Sequence, residues 1–264
     1  MRRPVLTSVA FAVATLAACS EGGSPSSDPQ VNFNVATRPA SAAAMSSLAM
    51  ATAGTPETFT DGSNTLIVEQ VQMVLREIEL KRVETASGCD GSDACEKLEV
   101  GPLLLDLPLG TGGAAHSFSV DVSAGSYDEV EFEVHKPSND DASDAAFLQA
   151  HPEFAGVSVK VAGTYNGQPF TYVTDLDAEE EIELNPPLVT TESTATDLTL
   201  LVDLDRWFRD GANHLVDPAT AGAGNVNDNL VRDNIRGTLR AFEDEDHDGT
   251  DDHHAGADDG PLHD

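Results

Sequence analysis

The side chains best suited to chemistry lie in an acidic segment at the C-terminal end of the chain. Residues 243–264 contain many carboxylates and four histidines but no lysine or arginine. Five positions there have the spacing of ligands to one hard cation: Asp244, Asp246, Asp248, Thr250 and Asp252. Alternating carboxylates converge on such a cation where Gly249 permits a sharp turn, and the Thr250 carbonyl and the Asp252 carboxylate extend the shell. The spacing therefore predicts a calcium site.

This segment resembles EF-hand-like loops and the calcium repeats of thrombospondin type 3 domains, with two departures. The twelfth position, which holds a bidentate acid in such loops, is Ala255, and no exiting helix is expected. We therefore expect weak calcium binding, and a solvated tail that attracts divalent cations only loosely is the simpler interpretation. The histidines of this segment also suit zinc, copper or nickel, although no spacing defines a tetrahedral set. They are His247, His253, His254 and His263.

The three cysteines separate into one N-terminal residue and one close pair. Cys89 and Cys95 enclose a polar loop that contains Gly91, and in an oxidising compartment such a pair indicates a disulfide at a loop tip. Because the enclosed loop is short, its entropic stabilisation is expected at the low end of the usual range. A metal or redox pair is the alternative, although the spacing is not Cys-x-x-Cys.

The N-terminal end has the features of an export signal. Arg2 and Arg3 precede an apolar run over residues 5–16, which is too short to span a bilayer as a mature helix. The tetrad Leu16-Ala17-Ala18-Cys19 resembles a bacterial lipobox, which implies cleavage before Cys19 and acylation of that residue. Several acyl chains give a durable membrane anchor. By the same resemblance, Ser20 implies sorting to the outer membrane, and an ordinary secretory signal is the alternative.

The chain is strongly acidic, with a formal net charge of −32 at pH 7. Such a surface disfavours nucleic acid and anionic lipid headgroups as partners. It suits cations, a basic partner or simple colloidal repulsion at a crowded surface. We expect contact with the lipid membrane through acylated Cys19, and the remaining partner is left open as a protein or a glycan.

The sequence contains none of the common catalytic signatures. It has no Gly-x-Ser-x-Gly elbow, no His-Glu-x-x-His helix and no phosphate-binding glycine loop. The remaining histidines are expected at the surface or in turns: His116, His135, His151 and His214. Trp207 and Phe208 are expected to pack in the core rather than to stack on a sugar. The sequence thus predicts a non-catalytic protein with no firm cofactor, calcium being the one suggested. A cell-envelope hydrolase stays open, because so acidic a chain contains many potential carboxylate pairs.

Short segments of alternating apolar and polar residues run through the middle of the chain. Residues 118–122, 130–134 and 198–202 are examples, and Asn166-Gly167 is a strong hairpin signal. About eight such strands with polar turns predict a mainly β fold, an antiparallel β-sandwich. Residues 65–83 fit a helix or a strand, and the many β-branched residues favour a strand with a β-bulge near Arg76-Glu77.

The predicted organisation has five parts. A signal peptide (1–18) is followed by the lipidated cysteine and a low-complexity tether (19–56), in which residues 31–35 could form a first strand. The β-sandwich covers 57–210. Residues 211–242 are a loop and an amphipathic helix, and 243–264 are the acidic tail. Both termini are expected to be disordered. The apolar stripe of that helix is Val226, Leu230, Ile235, Leu239 and Phe242.

Three segments resemble uncharacterised bacterial lipoproteins with an immunoglobulin- or transthyretin-like β-sandwich. They are VQMVLREIEL at 71–80, LLLDL at 103–107 and SAGSYDEV at 123–130. The segment from Asn234 to Gly249 is also similar to the ends of such proteins. The resemblance implies a fold and a location but no activity. We therefore expect a membrane-anchored binding or structural module, with a metal-binding lipoprotein that uses its Asp/His-rich tail as the alternative.

Overall fold

The computed structural model describes residues 28–37, 55–83, 95–98, 101–110, 114–192 and 194–245. Within these ranges the chain is mainly β and contains few helices. The strands are β1 (Gln30–Thr37), β2 (Glu57–Thr60), β3 (Thr65–Arg82), β4 (Cys95–Leu98), β5 (Leu103–Asp106), β6 (Ala115–Asp121), β7 (Gly125–Val134), β8 (Val159–Tyr165), β9 (Gln168–Thr174), β10 (Ala178–Thr190), β11 (Ala195–Val202) and β12 (Leu239–Glu243). The α-helices of these ranges are α1 (Ala145–Ala150) and α2 (Asp228–Arg236).

The strands form two sheets that share one apolar core. The smaller sheet has the order β12-β11-β1-β6, and the larger has the order β10-β7-β3-β8-β9. Strands β2, β4 and β5 also pair with β3, which is therefore the central strand of the larger sheet. Residues from both sheets, among them Phe33, Met73 and Leu198, belong to the same buried cluster. The predicted mainly β class is confirmed, and the arrangement is consistent with a β-sandwich.

The long strand β3 confirms the choice of strand over helix for residues 65–83. Its core-facing residues are Leu66, Val68, Val71, Met73, Leu75, Ile78 and Leu80. Their spacing of two is broken twice, and at both places the register to a neighbouring strand shifts. One shift is the bulge predicted at Arg76-Glu77, where Glu77 has a φ of 49°. Each extra residue restores the phase, so the apolar side chains stay on the core face along the whole strand.

The strand pairing confirms the predicted hairpin and corrects the predicted strand directions. Asn166 and Gly167 both have positive φ and join β8 to β9, as the hairpin signal predicts. The prediction of antiparallel pairing throughout was wrong, because β1 runs parallel to β11. Strand β10 also continues past Pro186-Pro187 with a shift in register. This is compatible with proline because β10 is an edge strand.

The boundaries predicted on either side of the sandwich need correction. Strand β1 lies inside the range assigned to the tether, yet Val31 is fully buried in the shared core. The predicted C-terminal helix is shorter than expected, because α2 ends at Arg236 and residues 239–243 pair with β11 as β12. Of the expected stripe, Val226 is 87% exposed, whereas the helix buries Val231 and Ile235.

The outer face of the larger sheet is covered at only one end within the described ranges. There, α1 and the 3-10 turn Pro152–Phe154 pack on Val74 through Phe147, Leu148 and Phe154. The neighbouring part of this face, formed by β3, β7 and β10, carries charged side chains. That part contains the candidate site.

Candidate functional site

The outer face of β3, β7 and β10 places charged residues in three cross-strand rows. The central row consists of Glu79, Glu131 and Glu181, which are register partners on adjacent strands. The flanking rows each include one cation: Arg76 with Glu133 and Glu179, and Lys81 with Glu129 and Glu183. Like charges directly opposite one another destabilise a sheet. This face therefore concentrates negative charge at a cost to folding.

Lys81 compensates part of that charge. Its Nζ lies 2.7 Å from Glu131 Oε2 and 3.5 Å from Glu181 Oε1, and it also contacts Glu129. Partial burial opposes the charged form, but the carboxylates prevail and raise the pKa of Lys81 above its ordinary value. Lys81 therefore stays cationic and holds β3, β7 and β10 together at this end of the face.

Arg76 compensates the charge at the other end. Its Nε lies 2.9 Å from Glu133 Oε2 and its Nη2 lies 3.2 Å from Glu133 Oε1, which makes the contact bidentate. Its Nη1 donates to Asp141 Oδ2 at 3.1 Å, in the loop that precedes α1. Arg76 thus fixes the Glu133 carboxylate and ties the loop to the sheet.

Between these cations the surface forms a groove of about 340 Å³. All but one of its lining residues are acids: Glu77, Glu79, Glu131, Glu133, Asp177, Ala178 and Glu179. Glu77 is the bulged residue of β3, so the bulge adds a carboxylate to the groove wall. The groove is suited to a cation.

One carboxyl group of the groove has a raised pKa because of its acidic neighbours. The hydrogen bond that Glu179 donates to Glu131, followed by the charge of Glu131, raises the pKa of Glu179 to about 7. The nearby charges of Glu181 and Glu133 add to the shift. Two carboxylates this close do not both ionise readily, so the protonated form of Glu179 is favoured over its ordinary balance.

A buried histidine lies beside the groove. His135 is 4% exposed, and its Nε2 lies 2.8 Å from Oδ1 of Asp144, which is fully buried. Asp144 Oδ2 accepts a hydrogen bond of 2.7 Å from the Ser138 backbone N–H. The other ring nitrogen, Nδ1, lies 3.3 Å from Glu133 Oε1. Asp144 therefore fixes the orientation of the ring and leaves Nδ1 facing the groove acids.

This arrangement brings together a set of metal-binding donors. One ligand atom each from Glu133, His135 and Asp177 lies within 4.8 Å of the other two. Glu129, Glu131 and Glu181 form a second set with the same property. The first set combines an imidazole with two carboxylates, and its histidine has the carboxylate partner that commonly orients a metal-binding ring. Such mixed donors suit zinc and other divalent transition metals.

The sites predicted from sequence lie elsewhere. Cys19 and Cys89 are outside the described residues, as is the side chain of Cys95 at the start of β4. Of the predicted calcium ligands, only Asp244 is described. It is fully buried just beyond β12, where its Oδ2 accepts a hydrogen bond of 3.0 Å from Thr199 Oγ1. The ligands predicted at 246, 248, 250 and 252 are outside the described residues.

The expectations for individual aromatic residues had mixed outcomes. Trp207 and Phe208 are 1% exposed, and Trp207 Nε1 donates to Thr238 Oγ1 at 2.8 Å, which confirms core packing. His214 is exposed and pairs with Asp210, as expected of a surface residue. The expectation that His135 is a surface or turn residue was wrong. Its position directly after a strand concealed that the loop before α1 folds back over the ring.

The groove acids were visible in the sequence only as separate patterns. Glu129, Glu131 and Glu133 alternate in β7, and Glu179, Glu181 and Glu183 alternate in β10. Each pattern indicates one solvated face of a strand. That the two strands are neighbours with these faces in register is a property of the topology. The available signal was that two predicted strands both carry glutamates at alternate positions.

Comparison with known proteins adds no identification: no protein family, curated protein or solved structure was found to match this chain. Over the part of the chain that the structure describes, none of the helices combines the length and the apolar character needed to cross a membrane.

Proposed function

We propose that this chain is a lipoprotein of the bacterial cell envelope, anchored in the outer membrane through acylated Cys19. Its body would be a non-catalytic, immunoglobulin- or transthyretin-like β-sandwich that binds a divalent transition metal in the acidic groove. The lipobox-like tetrad supports the anchor, and the two sheets around one core support the sandwich. The groove supports the binding role.

The observation that carries the metal-binding role is the cluster of Glu133, His135 and Asp177. Its three ligand atoms are mutually within 4.8 Å, and the buried Asp144 orients the histidine ring. Because the orientation of the His135 ring is already fixed, metal binding costs less side-chain conformational entropy. The nitrogen donor favours zinc-like ions over calcium, which prefers oxygen ligands alone.

The charge of the groove supports the same role. A cation near Glu131 and Glu179 would relieve the repulsion that raises the pKa of Glu179. The Arg76 contact leaves Glu133 in place as a ligand whose geometry is already set. A bound cation would therefore neutralise part of the negative charge of the groove and reduce the repulsion among its carboxylates.

The same cluster does not favour a hydrolase. Both ring nitrogens of His135 face carboxylates, and in the described ranges no hydroxyl or thiol is hydrogen-bonded to the ring. A histidine base that activates a nucleophile must contact that hydroxyl or thiol. This geometry supports a ligand role for His135 over a general-base role.

Zinc titration by calorimetry tests the metal-binding role. The full chain is compared with Asp177→Asn and with Glu192→Gln, a control that removes an exposed acid from the turn between β10 and β11. We expect Glu192→Gln to bind zinc like the wild type, and Asp177→Asn to lose about tenfold or more in affinity. Equal affinity of all three proteins would disprove the groove site.

Lipid labelling tests the anchor separately. We expect cells that express the wild type to incorporate labelled palmitate into the protein, and the Cys19→Ser variant to remain unlabelled and to leave the membrane fraction. An unlabelled wild-type protein that fractionates like the variant would overturn the anchoring proposal without affecting the metal titration.

A further inference from the structure

A second group of oxygen-bearing side chains lies on the smaller sheet, whereas the acidic groove lies on the larger one. On the outer face of the smaller sheet, Asp197 of β11 is the register partner of Asn32 of β1, and Asp244 follows β12 beside them. The Asp244 backbone N–H donates to the Asp197 carbonyl at 3.2 Å, which places the two residues side by side. Asn34 and Thr199 form the adjacent pair on the same face.

In this cluster, the side chains of Asn32, Asn34 and Thr199 donate hydrogen bonds to the carboxylates of Asp197 and Asp244. Asp197 Oδ1 accepts from Asn32 Nδ2 at 3.0 Å and from Asn34 Nδ2 at 3.3 Å. Asp244 Oδ2 accepts from the Thr199 hydroxyl at 3.0 Å. Asp244 and Thr199 are fully buried, whereas Asn32 and Asp197 are partly exposed, so the cluster lies at the boundary between the interior and the surface.

Within the described residues, the side-chain oxygen of Asn34 makes no hydrogen bond. Asn34 is 1% exposed, and its Oδ1 is buried without a hydrogen bond. A buried carbonyl oxygen that loses its hydration without gaining a partner destabilises the fold. The amide cannot be turned to use this oxygen better, because its nitrogen donates to Asp197. In native proteins, a buried oxygen of this kind usually contacts a water molecule or an ion.

We propose that Asn34, Asp197 and Asp244 form a binding site for a hard divalent cation, with calcium the best match. The proposed ligands are one amide oxygen and two carboxylates. Calcium prefers such a set of oxygen ligands, whereas zinc favours sites that also contain nitrogen. The cation joins β1, β11 and β12, and so connects the first described strand to the last. The site is independent of the groove, since it uses different residues of the other sheet.

Calcium titration of the full chain tests this site, with Asp177→Asn introduced throughout to disable the groove. Thermal unfolding is followed with and without calcium chloride, and calorimetry gives the affinity. We expect calcium to raise the midpoint temperature of this parent. Asn34→Leu should abolish the rise, and Asn34→Asp, which adds a carboxylate oxygen, should strengthen binding several-fold.

The acidic tail is a competing calcium site, so a third variant carries Asp246→Asn and Asp248→Asn. Retention of the calcium response in the tail variant, together with its loss in Asn34→Leu, supports the proposal. Loss in the tail variant alone overturns it, as does the absence of any calcium response in the parent. If Asn34→Leu does not fold, Asn34→Asp decides, because an unchanged affinity would overturn the proposal.

Discussion

Removal of the Asp144 carboxylate should destabilise the protein more than removal of any exposed acid in the same loop. The side chain is fully buried and accepts hydrogen bonds from His135 Nε2 at 2.8 Å and from the Ser138 N–H at 2.7 Å. Asp144→Ala leaves both donors buried without a partner, at about 1–3 kcal/mol each. With two donors left unsatisfied, we expect a total of about 2–6 kcal/mol.

Urea unfolding at pH 7, followed by the fluorescence of the single buried tryptophan, measures this change in the free energy of unfolding. Asp144→Asn retains one acceptor oxygen and should lose about half as much. Asp140→Ala, an exposed change in the same loop, should stay within about 0.5 kcal/mol of wild type. Asp144→Ala and Asp144→Asn, measured under conditions in which they are folded, should also bind zinc about 10–100-fold more weakly. The reason is that the His135 ring loses its orienting carboxylate. An Asp144→Ala protein as stable as Asp140→Ala would refute the reasoning.

Three further predictions follow from other contacts. The hydrogen bond and charge of Glu131 raise the pKa of Glu179 from 4.5 to about 7, so between these values the folded chain holds a proton that the unfolded chain has released. Stability should therefore fall as the pH rises through that window, and urea midpoints at pH 5 and pH 8 should show that Glu179→Gln removes the decline. Hydrogen bonds from the side chain and backbone of Asn64 lower the pKa of Asp61, so its contribution is present at neutral pH and is lost as the pH falls below the ordinary value of 3.8. Asp61→Asn should accordingly lower the Tm at pH 7, with a smaller difference from wild type at pH 3. Trp207→Phe removes the hydrogen bond to a buried threonine hydroxyl and should cost about 1–3 kcal/mol, measured by circular dichroism during urea unfolding.

Local sequence patterns were sufficient where the physical cause is local. Asn166-Gly167 predicts its hairpin because both residues tolerate positive φ, which a tight turn between twisted strands requires. The phase slip at Arg76-Glu77 predicts the bulge of β3, because only an extra residue keeps apolar side chains on one face. Both features are confirmed at the predicted residues.

Local patterns failed where distant segments compete for the same residues. Leu239 and Phe242 fit a helical stripe, yet the edge of β11 offers backbone hydrogen bonds to residues 239–243, and the helix ends before them at Arg236. Likewise, nothing near Val31 in the sequence shows that its strand is completed by a parallel partner more than 160 residues away. Propensity is a weak influence compared with such pairing.

By itself, the sequence determined the class of fold, the acidity of the surface and the position of most strands, because alternation of apolar and polar residues follows directly from the geometry of a strand. Only the tertiary structure decided the candidate sites. The carboxylates of β7 and β10 lie together because their strands are neighbours in register, and the His135 ring is oriented beside them because Asp144 contacts it. These contacts join residues that are separated along the chain, and their proximity depends on the topology rather than on any local pattern.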